Sequence, residues 1–199
     1  MTVVAIADDH PLVSEGLCAL VDAQDDMTLG PVFSDGGALL DALPQLGADV
    51  LVLDLSLPGA TGLSILERLR ETAPRIKVVV YSMYSEEVVG RSVRAAGAFA
   101  FLSKRRPPSE LLAAVHAAAS GRPPVPADER DAPHALLSAR QLEIFLLVCE
   151  GCAPGDLCRR LDLSPSTVSS HLAAVRRKLG VETNGEILLY ALQAGLLER

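Results

Sequence analysis

Three carboxylates, a hydroxyl and an ammonium stand apart along this chain: Asp8, Asp9, Asp54, Ser82 and Lys104. Together they would do one kind of chemistry. Crowded carboxylates repel unless a cation neutralises them, and hard oxygen donors suit Mg²⁺, which keeps some of its waters. A hydroxyl and an ammonium beside such a centre suit a phosphoryl group. One donates a hydrogen bond and the other balances charge.

The elements that must bring these residues together are legible in the apolar pattern. Short runs at Val3–Ala7, Leu29–Phe33, Val50–Leu53, Lys77–Tyr81 and Phe99–Leu102 suit strands buried on both faces of a parallel sheet. Helical stretches at Pro11–Ala23, Gly36–Leu46, Gly62–Thr72, Glu86–Ala96 and Ser109–Ser120 alternate with them. The alternation predicts an α/β fold, a doubly wound (βα)5 sheet of flavodoxin-like order 2-1-3-4-5. Such sheets gather functional groups at the carboxyl ends of their strands. Asp8 and Asp9 follow the first run, Asp54 the third, Ser82 the fourth and Lys104 the fifth. A single Asp at a strand end is more often a cap or a solvated loop residue. The ordered conjunction carries the reading.

Residues 1–120 thus form one predicted domain. A segment rich in Pro and acidic residues, 121–134, reads as a linker. Residues 135–199 read as a second, all-α domain. Ser138 and Gln141 suggest a capping box, Asp156–Leu161 a short helix, Asp162–Ser164 a tight turn, Pro165–Leu179 a longer helix and Gly185–Ala194 a last one. Two helices joined by three residues suggest helix-turn-helix. The chain carries net charge −7, but residues 134–199 hold 7 Lys/Arg against 7 Asp/Glu. A neutral module on an acidic chain is compatible with nucleic-acid binding. Cys149 and Cys152 have C-x-x-C spacing, and Cys158 with His171 would complete four metal ligands. Cys149 falls on an apolar stripe and no second C-x-x-C follows, so packing is preferred. No apolar stretch is long enough to span a bilayer and no signal segment is evident, so a cytoplasmic location is expected.

The stretches Val4-Ala-Ile-Ala-Asp8-Asp9-His10-Pro11, Asp54-Leu-Ser-Leu-Pro58-Gly59 and Gly97-Ala-Phe-Ala-Phe101-Leu-Ser-Lys104 resemble the NarL/FixJ family of response regulators. So does Leu137–Val181, which is similar to the LuxR-type helix-turn-helix through Ser138, Arg140, Glu143, Gly151, Leu157, Leu161, Thr167, His171, Leu172 and Lys178–Val181. Phe101–Arg105 and Ala113–His116 further resemble the hexose-phosphate uptake branch of the family.

The resemblance implies that Asp54 accepts phosphate from a sensor histidine kinase, in the cytoplasm. Asp8, Asp9, Asp54 and the main-chain carbonyl of Ser56 would hold Mg²⁺. Ser82 and Lys104 would bind the phosphoryl group, and Phe101 would turn inward as Ser82 moves. Promoter DNA would meet Ser166, Thr167, Ser169, Ser170, His171, Arg176, Arg177 and Lys178, with Ala174 also on the exposed side. Phosphorylation would favour a homodimer that binds DNA and regulates transcription. Several features depart from the family pattern, among them Ser82 where Thr is usual and Pro154-Gly155-Asp156 where Asn-Lys-Glu is usual. Arg105 stands where many receivers have Pro after the Lys, and Ser166, Ser169 and Ala174 are small where relatives often carry Lys, Lys and Asn. A helix so poor in cations keeps open a second reading, in which the output domain contacts a protein or needs a partner on DNA. An enzyme is not expected. Aspartyl-phosphate phosphohydrolases carry D-x-D at the nucleophile, whereas Asp54-Leu-Ser stands here.

Overall fold

The computed structural model describes residues 1–84, 86–122, 133–194 and 196. These fall into two compact units, one built on a sheet and one on the C-terminal helices. Most of the segment read as a linker, 123–132, lies outside the described residues.

In the sheet unit, strands β1 (Thr2–Ala7), β2 (Met27–Phe33), β3 (Val50–Leu53), β4 (Lys77–Ser82) and β5 (Ala100–Ser103) alternate with helices. The helices are α1 (Pro11–Asp22), α2 (Gly36–Ala42), α3 (Gly62–Thr72), α4 (Glu86–Ala95), whose residues up to Ser92 group with the second unit, and α5 (Pro108–Ala119). All strand pairings are parallel, in the order β2-β1-β3-β4-β5. The expected (βα)5 α/β architecture is therefore present.

Apolar side chains fill both faces, which is why the strand sequences run nearly uninterrupted. On one face Val4, Ile6, Val50, Val52, Val79, Tyr81 and Ala100 pack with Leu17 and Val21 of α1 and Leu111 and Val115 of α5. The alternate positions Ala5, Leu51, Leu53, Val78 and Val80 point the other way and are equally buried.

Two predicted elements differ. The run Gly36–Leu46 is not one helix: α2 ends at Ala42 and a 3-10 turn takes over at Leu43–Gln45. Pro44 lacks the N–H that an α-helix interior needs and restricts the residue before it. The second strand is not buried on both faces. It lies at an edge, with Val32 44% exposed, because only β1 pairs with it.

The helical unit contains α6 (Ala139–Cys149), α7 (Pro154–Leu161), α8 (Pro165–Leu179) and α9 (Asn184–Gln193). The capping box at α6 is complete: Ser138 Oγ accepts from Gln141 N at 3.3 Å, and Gln141 Oε1 accepts from Ser138 N at 3.1 Å. Helix α7 starts two residues before the expected Asp156, at Pro154, since proline's fixed φ suits the first helical position. Asp162 then turns the chain with a left-handed φ of 49°. Leu157, Leu161, Val168, Leu172 and Val175 are all buried, as the apolar spacing predicts. No helix among the described residues is long and apolar enough to cross a membrane.

Candidate functional site

Strand register sets the acidic cluster. Ala7 pairs with Leu53, so the next residues, Asp8 and Asp54, leave the sheet side by side. Ser82 pairs with Ser103, so Lys104 follows beside it. Three backbone bonds extend the ladder one step past the strand ends: Asp8 N to Phe33 O at 3.0 Å, Asp54 N to Ala7 O at 2.8 Å and Lys104 N to Ser82 O at 2.7 Å. The candidate residues thus hang from backbone that the sheet itself holds.

Lys104 Nζ lies 2.6 Å from Asp54 Oδ2 and 2.7 Å from Asp8 Oδ2. Both carboxylates are nearly inaccessible, at 2% and 3% exposure. Burial favours the neutral amine, but the charge of Asp54 and hydrogen bonds to Asp54 and Asp8 outweigh it. The Lys104 pKa rises above the ordinary lysine value. Ser56 N donates to Asp54 Oδ1 at 3.2 Å, so the loop residue expected to offer its carbonyl sits against the Asp54 carboxylate.

Asp8, Asp9, Asp54 and His10 place ligand atoms within 4.8 Å of one another. This is the one such cluster among the described residues, so Cys149, Cys152, Cys158 and His171 do not assemble a metal site. Convergent carboxylate oxygens fit a hard divalent cation. Asp9 Oδ1 is buried with no hydrogen bond to it, although His10 Nδ1 lies 2.9 Å away. His10 N also donates to Asp8 Oδ1 at 3.0 Å. Sequence reasoning did not single out His10; its position directly after two aspartates was the available signal.

Ser82 is fully buried, and its Oγ has no hydrogen-bond partner. A buried hydroxyl left unpaired is costly, and here it sits at the end of β4, on the residue whose carbonyl accepts from Lys104 N. A phosphoryl oxygen would satisfy it. Phe101, paired with Val80 in the sheet, is buried at 3% exposure. The Lys104–Arg105 peptide is trans, like every other peptide bond described.

In the helical unit the exposed face of α8 is Ser166, Ser169, Ser170, Ala173 and Arg177. Thr167, His171, Arg176 and Lys178 are half-buried. Ala174 is half-buried too, so Ala173 takes its expected place on the open side. Ser164 caps α8, accepting from Thr167 N at 3.2 Å and bonding the hydroxyls of Ser166 and Thr167 at 2.8 Å each. Ser170 Oγ donates to Ser166 O at 2.9 Å.

Two of the three clustered cations have internal tasks. Arg176 donates to Asn184 Oδ1 at 2.8 Å, and Lys178 Nζ to Leu136 O and Gln141 Oε1 at 2.7 Å each. Arg177 projects to solvent. Arg140 pairs with the buried Glu143 and also donates to Leu161 O at 2.8 Å, tying α6 to the end of α7.

The family profile "Response regulator receiver domain" matches residues 4–116, and that of "Bacterial regulatory proteins, luxR family" matches residues 135–191. The oxygen regulatory protein NreC of Staphylococcus haemolyticus is 30% identical, over 98% of this chain and 99% of its own. RcsB of Salmonella typhimurium, solved in a study of its conformational dynamism for DNA interaction, superposes with a TM-score of 0.84 at 27% identity, covering 98% of both chains. RcsB of Salmonella enterica serovar Typhimurium bound to promoter rprA with phosphomimetic BeF3⁻ gives 0.80 at 27% identity, over 96% of this chain and 98% of its own. With a parallel sheet gathering acids and a lysine at one edge, and a helix-turn-helix after it, the chain belongs to the response regulators that join a receiver domain to a LuxR-type DNA-binding domain.

Proposed function

We propose that Asp54 is the phosphoacceptor of a transcription regulator whose DNA binding is gated by phosphorylation. The observation that carries this reading is Lys104 bridging Asp54 and Asp8 beside the unpartnered hydroxyl of Ser82. An Asp54 carboxylate oxygen attacks the phosphorus of a phosphohistidine on a sensor kinase. The P–N bond breaks, the imidazole leaves with the electron pair, and an acyl phosphate forms.

Lys104 then exchanges a carboxylate for a phosphoryl oxygen, and Ser82 Oγ donates to another. Asp8, Asp9, Asp54 and the Ser56 carbonyl would hold Mg²⁺, which supplies charge neutralisation when bound. Movement of Ser82, with repacking of Phe101, is the local event that biases a bistable element. Residues 1–120 are the receiver, 121–134 the linker and 135–199 the output domain.

The output domain binds promoter DNA as a homodimer, with Ser166, Thr167, Ser169, Ser170, His171 and Arg177 toward the groove and backbone. Arg176 and Lys178 support that surface from within. Work is expected in the cytoplasm. RcsB bound to promoter DNA supports this reading by likeness. Selection from random DNA tests it, using the chain with Mg²⁺ and a small-molecule phosphodonor beside Asp54→Asn. A palindromic site enriched mainly by the phosphorylatable protein supports it. Equal enrichment removes Asp54 as the gate. No enrichment by either protein moves the output domain to protein binding.

A further inference from the structure

Two backbones meet at unusually short range next to the acidic cluster. Gly36, the first residue of α2, donates its N–H to Pro58 O at 2.7 Å. A Cβ on Gly36 would stand 2.9 Å from Ala60 Cβ and 3.0 Å from Ala60 N, so only glycine fits. One residue earlier, Asp35 caps α2 by accepting from Ala38 N at 2.9 Å.

The other side of the junction is equally tight. Gly59 has a left-handed φ of 82°, and a Cβ there would lie 2.5 Å from Asp35 Oδ2. At the far end of the same loop Gly62 N donates to Leu55 O at 3.1 Å, and a Cβ on Gly62 would meet Leu55 Cα at 2.6 Å. The loop Leu55–Thr61 is therefore pinned to α2 in its middle and to itself at its base. It carries Ser56, whose N–H already touches Asp54.

We infer that Asp35 and Gly59 are positioning residues for the Ser56 segment of the cation site, acting through the α2–loop junction and not by contact with the ion. The inference rests on the reading of Asp8, Asp9 and Asp54 as a Mg²⁺ site. The carboxylate of Asp35 sets how close the loop approaches α2, and the bare Cα of Gly59 permits that approach. Moving the loop outward shifts Ser56 relative to Asp54 and spoils an oxygen the cation needs. Outer partners of this kind typically change metal affinity by about tenfold or more.

The test is calorimetric titration of the full chain with MgCl₂, followed by phosphorylation of each protein with acetyl phosphate at limiting and saturating Mg²⁺. Asp35→Ala and Gly59→Ala disturb the junction from opposite sides, and either one alone suffices if the other fails to fold. Each is expected to weaken Mg²⁺ binding about tenfold and to recover wild-type phosphorylation rates when Mg²⁺ saturates. Asp35→Asn keeps the cap acceptor and the shape, and restores wild-type affinity. Wild-type affinity in the alanine variants overturns the inference while leaving the cation site intact. Asp35→Asn as weak as Asp35→Ala also overturns it, because charge and not position would be at work. A wild-type chain that binds no Mg²⁺ overturns the reading of the acidic cluster itself.

Discussion

Lys104 and Asp54 directly follow strands β5 and β3, fifty residues apart in the chain, and meet at 2.6 Å with the lysine side chain only 6% exposed. The same ammonium holds Asp8, so one cation serves two buried anions. Lys104→Met leaves those anions facing each other. Without Mg²⁺ the receiver should lose about 3 kcal/mol, the range for breaking a buried pair. Mg²⁺ should return part of it by binding only the folded form. Urea denaturation with and without Mg²⁺ checks both. The raised Lys104 pKa also fixes a sign. Its stabilisation is complete below the ordinary value of 10.5 and is lost as pH climbs from there through the raised value. Receiver stability should therefore show no Lys104-linked loss near neutrality.

Ser82→Ala should separate stability from signalling. Its Oγ is buried without a partner, so the alanine variant should be as stable as wild type, or gain about 1 kcal/mol. Asp54 should still accept phosphate from a small donor, but phosphorylation should no longer raise DNA affinity. Thermal melts and DNA titration of the phosphorylated variant read the two effects independently.

Arg140 on α6 reaches both Glu143 and the carbonyl of Leu161. Arg140→Ala removes an ion-pair partner of the buried Glu143 and the donor to a helix-end carbonyl together. A loss of about 2 kcal/mol in the helical unit is expected, visible as a lower urea midpoint for the helical transition. Glu143→Gln, which keeps an acceptor, should lose less.

Arg177 and Lys178 are neighbours with opposite expected phenotypes. Arg177→Ala should lower DNA affinity at all sequences and flatten the salt dependence by about one unit of slope, one phosphate contact's worth. Lys178→Ala should chiefly destabilise the unit, because its ammonium is bonded to Leu136 O and Gln141. Titrations at several salt concentrations, beside thermal melts, distinguish them.

Burial, with the neighbouring charge of Glu150, pushes the Cys149 thiol up to about 12. Cys149 should stay unalkylated by iodoacetamide at pH 8, while the less buried Cys152 and Cys158 react. Peptide mass spectrometry before and after unfolding reads the difference.

The part of the site legible in the sequence is the part that local pattern determines. An apolar run predicts a strand, and the residue after it sits at a sheet edge; that places Asp8, Asp54, Ser82 and Lys104 without further knowledge. Lys178 was different. Its three-cation run reads as a contact surface, and only tertiary packing brings Leu136 and Gln141 within 2.7 Å. The edge position of β2 did have a signal in the sequence that its apolar content masked: Pro31 lacks the N–H that a central ladder needs, which favours an edge strand. The helical core was legible because one face of a 3.6-residue period must be buried wherever the helix packs.

The two units also differ in how far apart in the chain their contacts reach. Helices α6, α8 and α9 each begin with a side-chain cap spanning three residues. The interior strand β1 is instead tied to the residue just before β3 through bonds such as Val3 N to the Asp49 carboxylate, 46 residues away. Time is therefore divided unequally between them. The helical unit can start from segments fixed by their immediate neighbours, whereas the sheet must first close long loops whose entropy opposes it. One side of β1 therefore stays without its partner until a strand made more than forty residues later, β3, is available to pair with it.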